Sequence, residues 1–359
     1  MRAVLLLLAM TAATHADWLH FHGDAGQTGI SKDKLPDKLE TLWTFKCTPD
    51  DSFEGAAAIV AGVVLAGSTD EHLYAIDLKS GKEKWKYKAG APFKATAVVK
   101  DGVAYIGDLD GGLHAVDATG KRLWRYEAGS EIGGANIDKG TTLAASHDEN
   151  LYGIDAATGK EKWKFRTNGP VYGSVSVSQG KTFVVGCDSE LHVIDTATGK
   201  KDRSVELDGQ TGGTAAVEGD MVYVGTMKNE VKAIDWKKGE VVWTYKPPRG
   251  EAFFSSPALD KNYVVIGSRD KKIHCIDRAT GKGEWTFLTG NKVDSSPVIA
   301  GGKVYVGSLD GHFHVLDLRS GKELQKIQLD GPINASPAVS GGCLIVGTQK
   351  GTLYCLGAK

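Results

Sequence analysis

The sequence predicts an all-β protein, an eight-bladed β-propeller of four-stranded antiparallel blades, on three observations. The hairpin "AIDLKSGKEKW", Ala75 to Trp85, returns along the chain with its aspartate at Asp77, Asp117, Asp155, Asp195, Asp235, Asp277 and Asp317, at spacings of 40, 38, 40, 40, 42 and 40. A period of that length marks stacked or radial units rather than one conventional core. Forty residues past Asp317 stands Gly357 in "GTLYCLG", which makes eight units. Within a unit such as Ser295 to Leu329, short runs of β-formers alternate with Gly, Asp and Asn at turn positions, and no ten-residue stretch has helical periodicity. Four short strands per unit is one blade, whereas a parallel β-helix needs a shorter period.

Residues 1–16 have the order of a secretory signal: Arg2, the apolar run Ala3 to Met10, then small residues ending at Ala16. That run is too short to cross a bilayer as a helix, and no later stretch is long enough. No cysteine stands at the cleavage point. The expectation is an exported protein, periplasmic or extracellular, with neither membrane span nor lipid anchor.

Residues 17–39 form a lead-in segment. In it His20 and His22 share one side of an extended chain with Asp24 close by, the outline of a surface zinc or copper site without a third defined ligand.

Residues 40–357 form a single propeller. The eighth unit stops after its third strand at Leu356, and "LETLWTFKC" (Leu39 to Cys47) matches "GKEKWKYKA" (Gly81 to Ala89) in pattern and tryptophan position. Residues 40–46 therefore supply the outer strand of blade 8, which closes the ring and leaves no open edge.

Inside the hairpin, Ala75 and Asp77 share one strand face, Gly81 takes the positive φ of a tight turn, and Trp85 returns on the next strand. Asp77 caps turn amides. Variants run from Ala115 to Trp124, Gly153 to Trp163, Ala233 to Trp243 and Cys275 to Trp285, and the aromatic is lost at Arg203 and Gln325. Six tryptophans (Trp43, Trp85, Trp124, Trp163, Trp243 and Trp285) hold this one position, while Trp18 and Trp236 fall outside it. A regular outer-strand aromatic packs blade on blade, each indole burying on the order of 200 Å².

These residues resemble the pyrroloquinoline-quinone (PQQ) repeat family, whose signature is this tryptophan-docking motif, over about residues 40 to 357. "DWLHFHGDAGQTGIS" (Asp17 to Ser31) is similar to the lead-in of exported bacterial members. The resemblance implies one of two kinds of relative: quinoprotein dehydrogenases, which hold PQQ and calcium at the top of the ring, or non-enzymatic propellers such as the lipoprotein of the outer-membrane β-barrel assembly machinery. The chain departs from the first in its shorter length and its lack of adjacent cysteines and of a CxxCH haem site, and from the second in lacking the lipidated cysteine.

The formal net charge of -1 gives no basic field for nucleic acid or an anionic membrane. Cys47, Cys187, Cys275, Cys343 and Cys355 are scattered and form no CxxC pair, as expected of small buried hydrophobes. His114, His192, His274 and His314 share one place in the repeat, where other blades have Tyr74, Tyr152, Lys232 and Tyr354. They sit on the third strand, roughly 10 Å outside the innermost one, and point radially apart, so they are expected as half-buried amphipathic side chains rather than ligands of one ion.

Only the axis lets blades converge. The innermost strands carry small residues there, from Ala56 to Ser336, and no serine among them has a repeat-fixed His and acid for a hydrolase triad. One position earlier, at the channel mouth, stand Glu54, Lys94, Gly133, Tyr172, Gly212, Phe254, Asp294 and Asn334. A mouth polar on one side and aromatic or open on the other suits a small polar ligand or a peptide loop. The turn residues Asp70, Asp110, Asp148, Asp188, Asp270 and Asp310 share that face, an acidic rim in outline.

The expected function is an exported, non-catalytic propeller that acts as a protein-interaction scaffold or small-ligand binding module, with no cofactor. The alternative is a PQQ- and calcium-dependent dehydrogenase of alcohols or sugars.

Overall fold

The computed structural model describes residues 17–359, so the signal-sequence expectation for residues 1–16 lies outside the described residues. Eight sheets follow one another around an axis. Blade 1 is typical, with strands Ala58–Val60, Val63–Gly67, His72–Asp77 and Glu83–Lys88 running from the axis outward. The ring closes as expected: Glu40–Lys46 pairs antiparallel with Thr352–Gly357 and completes blade 8. Trp43 stands opposite Cys355 as Trp85 stands opposite Ala75, so strands from the two ends of the chain keep the register of a continuous hairpin.

Each outer strand contains a bulge that the periodicity did not reveal. The residue before the tryptophan position is left out of the pairing: Lys84 in blade 1, Leu123 in blade 2, Val242 in blade 5 and Leu42 in blade 8. A bulge increases the local twist and re-aims the next side chain. That side chain is the indole, which turns toward the neighbouring blade. Trp43 Nε1 donates to the Leu78 carbonyl at 2.9 Å, Trp85 to Ala118 at 2.8 Å, Trp124 to Ala156 at 3.0 Å, Trp163 to Thr196 at 3.1 Å, Trp243 to Arg278 at 3.0 Å and Trp285 to Leu318 at 2.9 Å.

The hairpin glycine has a second reason to be glycine. Gly81 has φ 70°, and a Cβ there would come within 2.7 Å of the Trp43 ring. Asp77 accepts from the Ser80 N–H at 2.9 Å, the expected turn cap. The indoles are half-buried rather than enclosed, so each buries less than a fully covered ring; Trp243, at 9 % exposure, is the exception.

The two blades without a tryptophan are fastened differently. At the seam between blades 4 and 5, where Arg203 replaces the indole, Trp236 packs edge-on against Phe183 and donates to the Gly219 carbonyl at 3.2 Å. Blade 7 uses Gln325, which grips the backbone of Leu39.

The lead-in forms a girdle across the far end of the channel. Trp18 exchanges backbone hydrogen bonds with Ile59 of blade 1, and Leu19 accepts from Val99 of blade 2. His20 Nδ1 lies 3.0 Å from Asn136 Oδ1 of blade 3. Ala25, Gly26, Thr28 and Gly29 accept from Val177, Val217, Leu259 and Ile299 of blades 4 to 7, and Asp33 accepts from the Gly341 N–H of blade 8 at 2.7 Å. The innermost strand of each blade has a free edge whose N–H groups need partners. One segment supplies a partner to blade after blade and blocks the channel from below.

A candidate binding cup at the channel mouth

With its far end blocked, the channel is a cup of about 300 Å³ whose floor includes Phe21 of the girdle. Its walls are the small residues of the innermost strands, and steric crowding is only part of the reason for them. The N–H of Ser174 donates to Thr214 Oγ1 at 2.9 Å, that of Thr214 to Ser256 Oγ at 2.9 Å, that of Ser256 to Ser296 Oγ at 2.9 Å, and that of Ser296 to Ser336 Oγ at 3.0 Å. The hydroxyls of blades 5 to 8 each satisfy an inner-edge amide of the blade before. This part of the wall is a run of interblade hydrogen bonds, the arrangement buried backbone groups require.

Of the eight mouth positions, seven line the cup: Glu54, Lys94, Gly133, Gly212, Phe254, Asp294 and Asn334. Their polar groups are mostly matched to one another. Asn334 Nδ2 donates to Glu54 Oε2 at 3.0 Å. Arg269 donates to Asp294 from Nε and from Nη2, each at 3.0 Å, while its guanidinium lies 3.4 Å over the Phe254 ring. Phe254 also leans over Gly212, where a Cβ would meet the ring. Lys94 is exposed and has no ion pair among the described residues.

Tyr172 is a correction. Its side chain does not line the cup; it is 43 % exposed, meets His147 edge-on at 4.7 Å, and its hydroxyl contacts Cys187, which raises its pKa. The expectation failed because position along the strand fixes the backbone, whereas the ring is drawn outward by residues of neighbouring hairpins. Arg269 has the complementary reason: it stands beside Asp270 in the turn between second and third strands, where the repeat marks the aspartates and gives no sign that the adjacent side chain turns toward the axis.

The shared histidines are also corrected, from half-buried to buried. His114 Nε2 lies 2.7 Å from Asp108, His192 Nε2 2.6 Å from Asp188 and His274 Nε2 3.2 Å from Asp270, while His314 pairs through Nδ1 with Glu323 at 2.8 Å. Tyr74 and Tyr152 take the same role, donating to Asp70 at 2.5 Å and Asp148 at 2.6 Å. The turn carboxylates are thereby drawn into the blades, and hydrogen bonds from these partners hold their pKa values low against the opposing effect of burial. They do not form an acidic rim. In blade 2 Asp108, not Asp110, makes the bond.

One of these ties has the composition of a catalytic triad. His192 Nδ1 lies 3.1 Å from Ser204 Oγ, with Asp188 on its other nitrogen. The order is the reverse of a hydrolase, in which the acid holds Nδ1 and the serine faces Nε2. Tyr87 with His114 and Asp108, and Tyr245 with His274 and Asp270, make the same tie in other blades. Ser204 is therefore a structural partner of a buried imidazole.

His20 and His22 do not converge on a metal. His20 turns to Asn136, whereas His22 is buried, bonds the Gln27 carbonyl at 3.2 Å, and is pushed down to a pKa of about 4 by that burial. Among the described residues no cluster of three or more His, Cys, Asp or Glu is placed to hold a metal ion. Nor do the residues of the mouth fit PQQ with calcium. One face of the Phe254 ring is already taken by the Arg269 guanidinium, and Glu54 and Asp294 are engaged by Asn334 and Arg269.

The family model described as outer membrane protein assembly factor BamB matches residues 37–135, 131–254 and 250–359. Among curated proteins, the quinohemoprotein alcohol dehydrogenase ADH-IIG of Pseudomonas putida is 29% identical over 157 residues, covering 36% of this chain and 22% of its own. The outer membrane protein assembly factor BamB of Burkholderia pseudomallei is 25% identical over 129 residues, covering 36% of this chain and 34% of its own. The matches thus span about a third or less of the length of these relatives. Among solved structures, BamB from Moraxella catarrhalis superimposes with a TM-score of 0.78 at 21% identity, covering 90% of this chain and 98% of that one, a likeness of fold.

Proposed function

This chain belongs to the family described as outer membrane protein assembly factor BamB, and from that premise we propose that it is an exported, non-catalytic propeller whose mouth face binds a partner protein. The observation that carries the proposal is the cup itself. It is closed below by Phe21, its hydroxyls accept backbone amides rather than facing a base, and the unrepeated side chains that converge on it are mostly matched as pairs. Such a site can bind but has no activated nucleophile or acid–base pair. A partner's loop entering the cup would meet aromatic, hydroxyl and charged groups that vary from blade to blade, which gives it one orientation on a nearly symmetric ring. Among the described residues no helix is long and apolar enough to cross a membrane.

The test is a photo-reactive amino acid at Gln349, an exposed residue on the mouth rim, compared with one at Lys139 on the opposite face. The proposal expects a discrete protein adduct from Gln349, lost when Arg269→Ala disturbs the mouth, and none from Lys139. Equal adducts from both faces, or none from either, would contradict it.

A further inference from the structure

We propose that Cys343 and Cys355 are a redox pair that closes to a disulfide and fastens the one blade that lacks a covalent turn into its outer strand. The proposal is independent of what the mouth binds.

Cys343 opens the second strand of blade 8, Cys343–Gly347, and Cys355 lies on the third, Thr352–Gly357. Ile345 stands opposite Cys355 in the ladder, so Cys343, two residues before Ile345, shares its sheet face. The two cysteines are diagonal neighbours on that face. Strand twist draws one of the two diagonals of an antiparallel pair together, and here the two free thiols meet in a hydrogen bond. A Cβ on Gly357 would lie 3.5 Å from Cys343 Sγ, which places that sulfur over the third strand.

The two thiols are not equivalent. Cys355 is buried, and its bond to Cys343 together with burial pushes its pKa up. Cys343 is half-buried, and the same bond pulls its pKa below the ordinary thiol value against the effect of burial. Exposure and thiolate character mark the sulfur that attacks first, and a neighbour in contact is placed to resolve the product.

The pair stands where a fastening is missing. In blades 1 to 7 the third strand runs through a tight turn into the outer strand. In blade 8 the outer strand Glu40–Lys46 comes from the other end of the chain, so no turn holds the third strand at the end nearest Cys343. The repeat equivalents of the pair are Lys303 and Val315 in blade 7 and Tyr263 and Cys275 in blade 6, and only the eighth blade has cysteine at both positions.

The oxidant is a second disulfide, small or protein-borne. The Cys343 thiolate attacks one of its sulfurs, breaks that S–S bond and releases one thiolate; Cys355 then attacks the Cys343 sulfur, forms the Cys343–Cys355 bond and releases the other. The two cysteines lose two electrons and two protons, which leave on the two thiols of the reduced oxidant.

Trypsin tests this, because cleavage at Lys350 puts the two cysteines on separate peptides, residues 327–350 and 351–359. The folded protein is incubated with excess glutathione disulfide, free thiols are alkylated, and the peptides are mapped without reduction. The expected result is a linked pair of these two peptides, separated by dithiothreitol, with Cys47, Cys187 and Cys275 alkylated and the melting temperature raised by roughly 5 °C over the reduced protein. Cys355→Ala should stop at a glutathione adduct on Cys343, Cys343→Ala should leave Cys355 without one, and neither variant should gain stability from the oxidant. Unlinked peptides, or a link to another cysteine, would overturn the redox pair. A link without the rise in melting temperature would overturn the fastening, and an adduct on Cys355 in Cys343→Ala would overturn the order of attack.

Discussion

Gln325 holds Leu39 by both of its backbone groups: Nε2 donates to the Leu39 carbonyl at 2.7 Å, and Oε1 accepts from the Leu39 N–H at 2.9 Å. This explains why blade 7 lacks the tryptophan. Elsewhere the indole lies on the hairpin that joins third and outer strands of the next blade. In blade 8 those strands come from opposite ends of the chain, so there is no hairpin and no glycine to receive an indole. A side-chain amide, which pairs with a passing backbone as another strand would, suits that place. Gln325→Ala should cost about 1–3 kcal/mol in denaturant unfolding, and Gln325→Trp should not restore it.

The other seams predict a graded series. Trp243, the most buried of the six indoles, should cost about 3 kcal/mol when replaced by alanine, and half-buried Trp85 less. Gly81→Ala should cost more than about 1 kcal/mol, because it strains the turn and also meets the Trp43 ring. In the background of Trp43→Ala the steric part of that cost should vanish, which a double-mutant cycle would measure.

His22 gives the fold a pH dependence. Burial holds its folded pKa at about 4, below the ordinary 6.5, so the unfolded chain binds the proton more readily. Stability from this group is therefore complete above about pH 6.5 and falls as the pH drops toward 4, by up to roughly 3 kcal/mol. His22→Gln should flatten the unfolding free energy across that window relative to the parent. An unchanged slope would mean that the titrating groups lie elsewhere.

The girdle should protect the innermost strands. In a chain beginning at residue 34, the amides of Val99, Val177, Val217, Leu259 and Ile299 lose the carbonyls that accept them. Hydrogen exchange at these sites should accelerate together while outer-strand amides change little.

Ser204 should be inert to a fluorophosphonate probe, because its imidazole partner is buried and is bonded to Asp188 in the wrong order for catalysis. Labelling of Ser204 would show that the tie is chemically competent.

Repetition made the blades legible, and the tryptophan pattern of Leu39 to Cys47 was enough to foresee how the ring closes. The positions around the mouth could also be placed, because each stands just before the small residues that line the axis in its unit. Side-chain direction could not. Tyr172 leaves the cup because Cys187 and His147, from two different hairpins, hold it outside, and Arg269 enters because Asp294 of the next blade attracts it. These pairings join residues of neighbouring units, and a comparison of units with one another is blind to them. The histidines were misplaced for a local reason: His192 and His274 are tied to carboxylates four residues earlier in the same hairpin, and in blade 2 His114 is tied to Asp108 rather than the repeat-equivalent Asp110. Nothing in the periodicity of residues 17–33 marked a segment that touches each blade in turn.

The central claim is that this ring binds and does not catalyse. Purified protein mixed with PQQ and calcium, with the quinone absorption and dye-linked oxidation of alcohols and sugars followed together, tests it most directly. The expected result is an unshifted quinone spectrum and no oxidation above the protein-free control, because one face of Phe254 is already taken by Arg269 and Glu54 and Asp294 are already engaged. A shifted spectrum with substrate-dependent dye reduction would contradict the account.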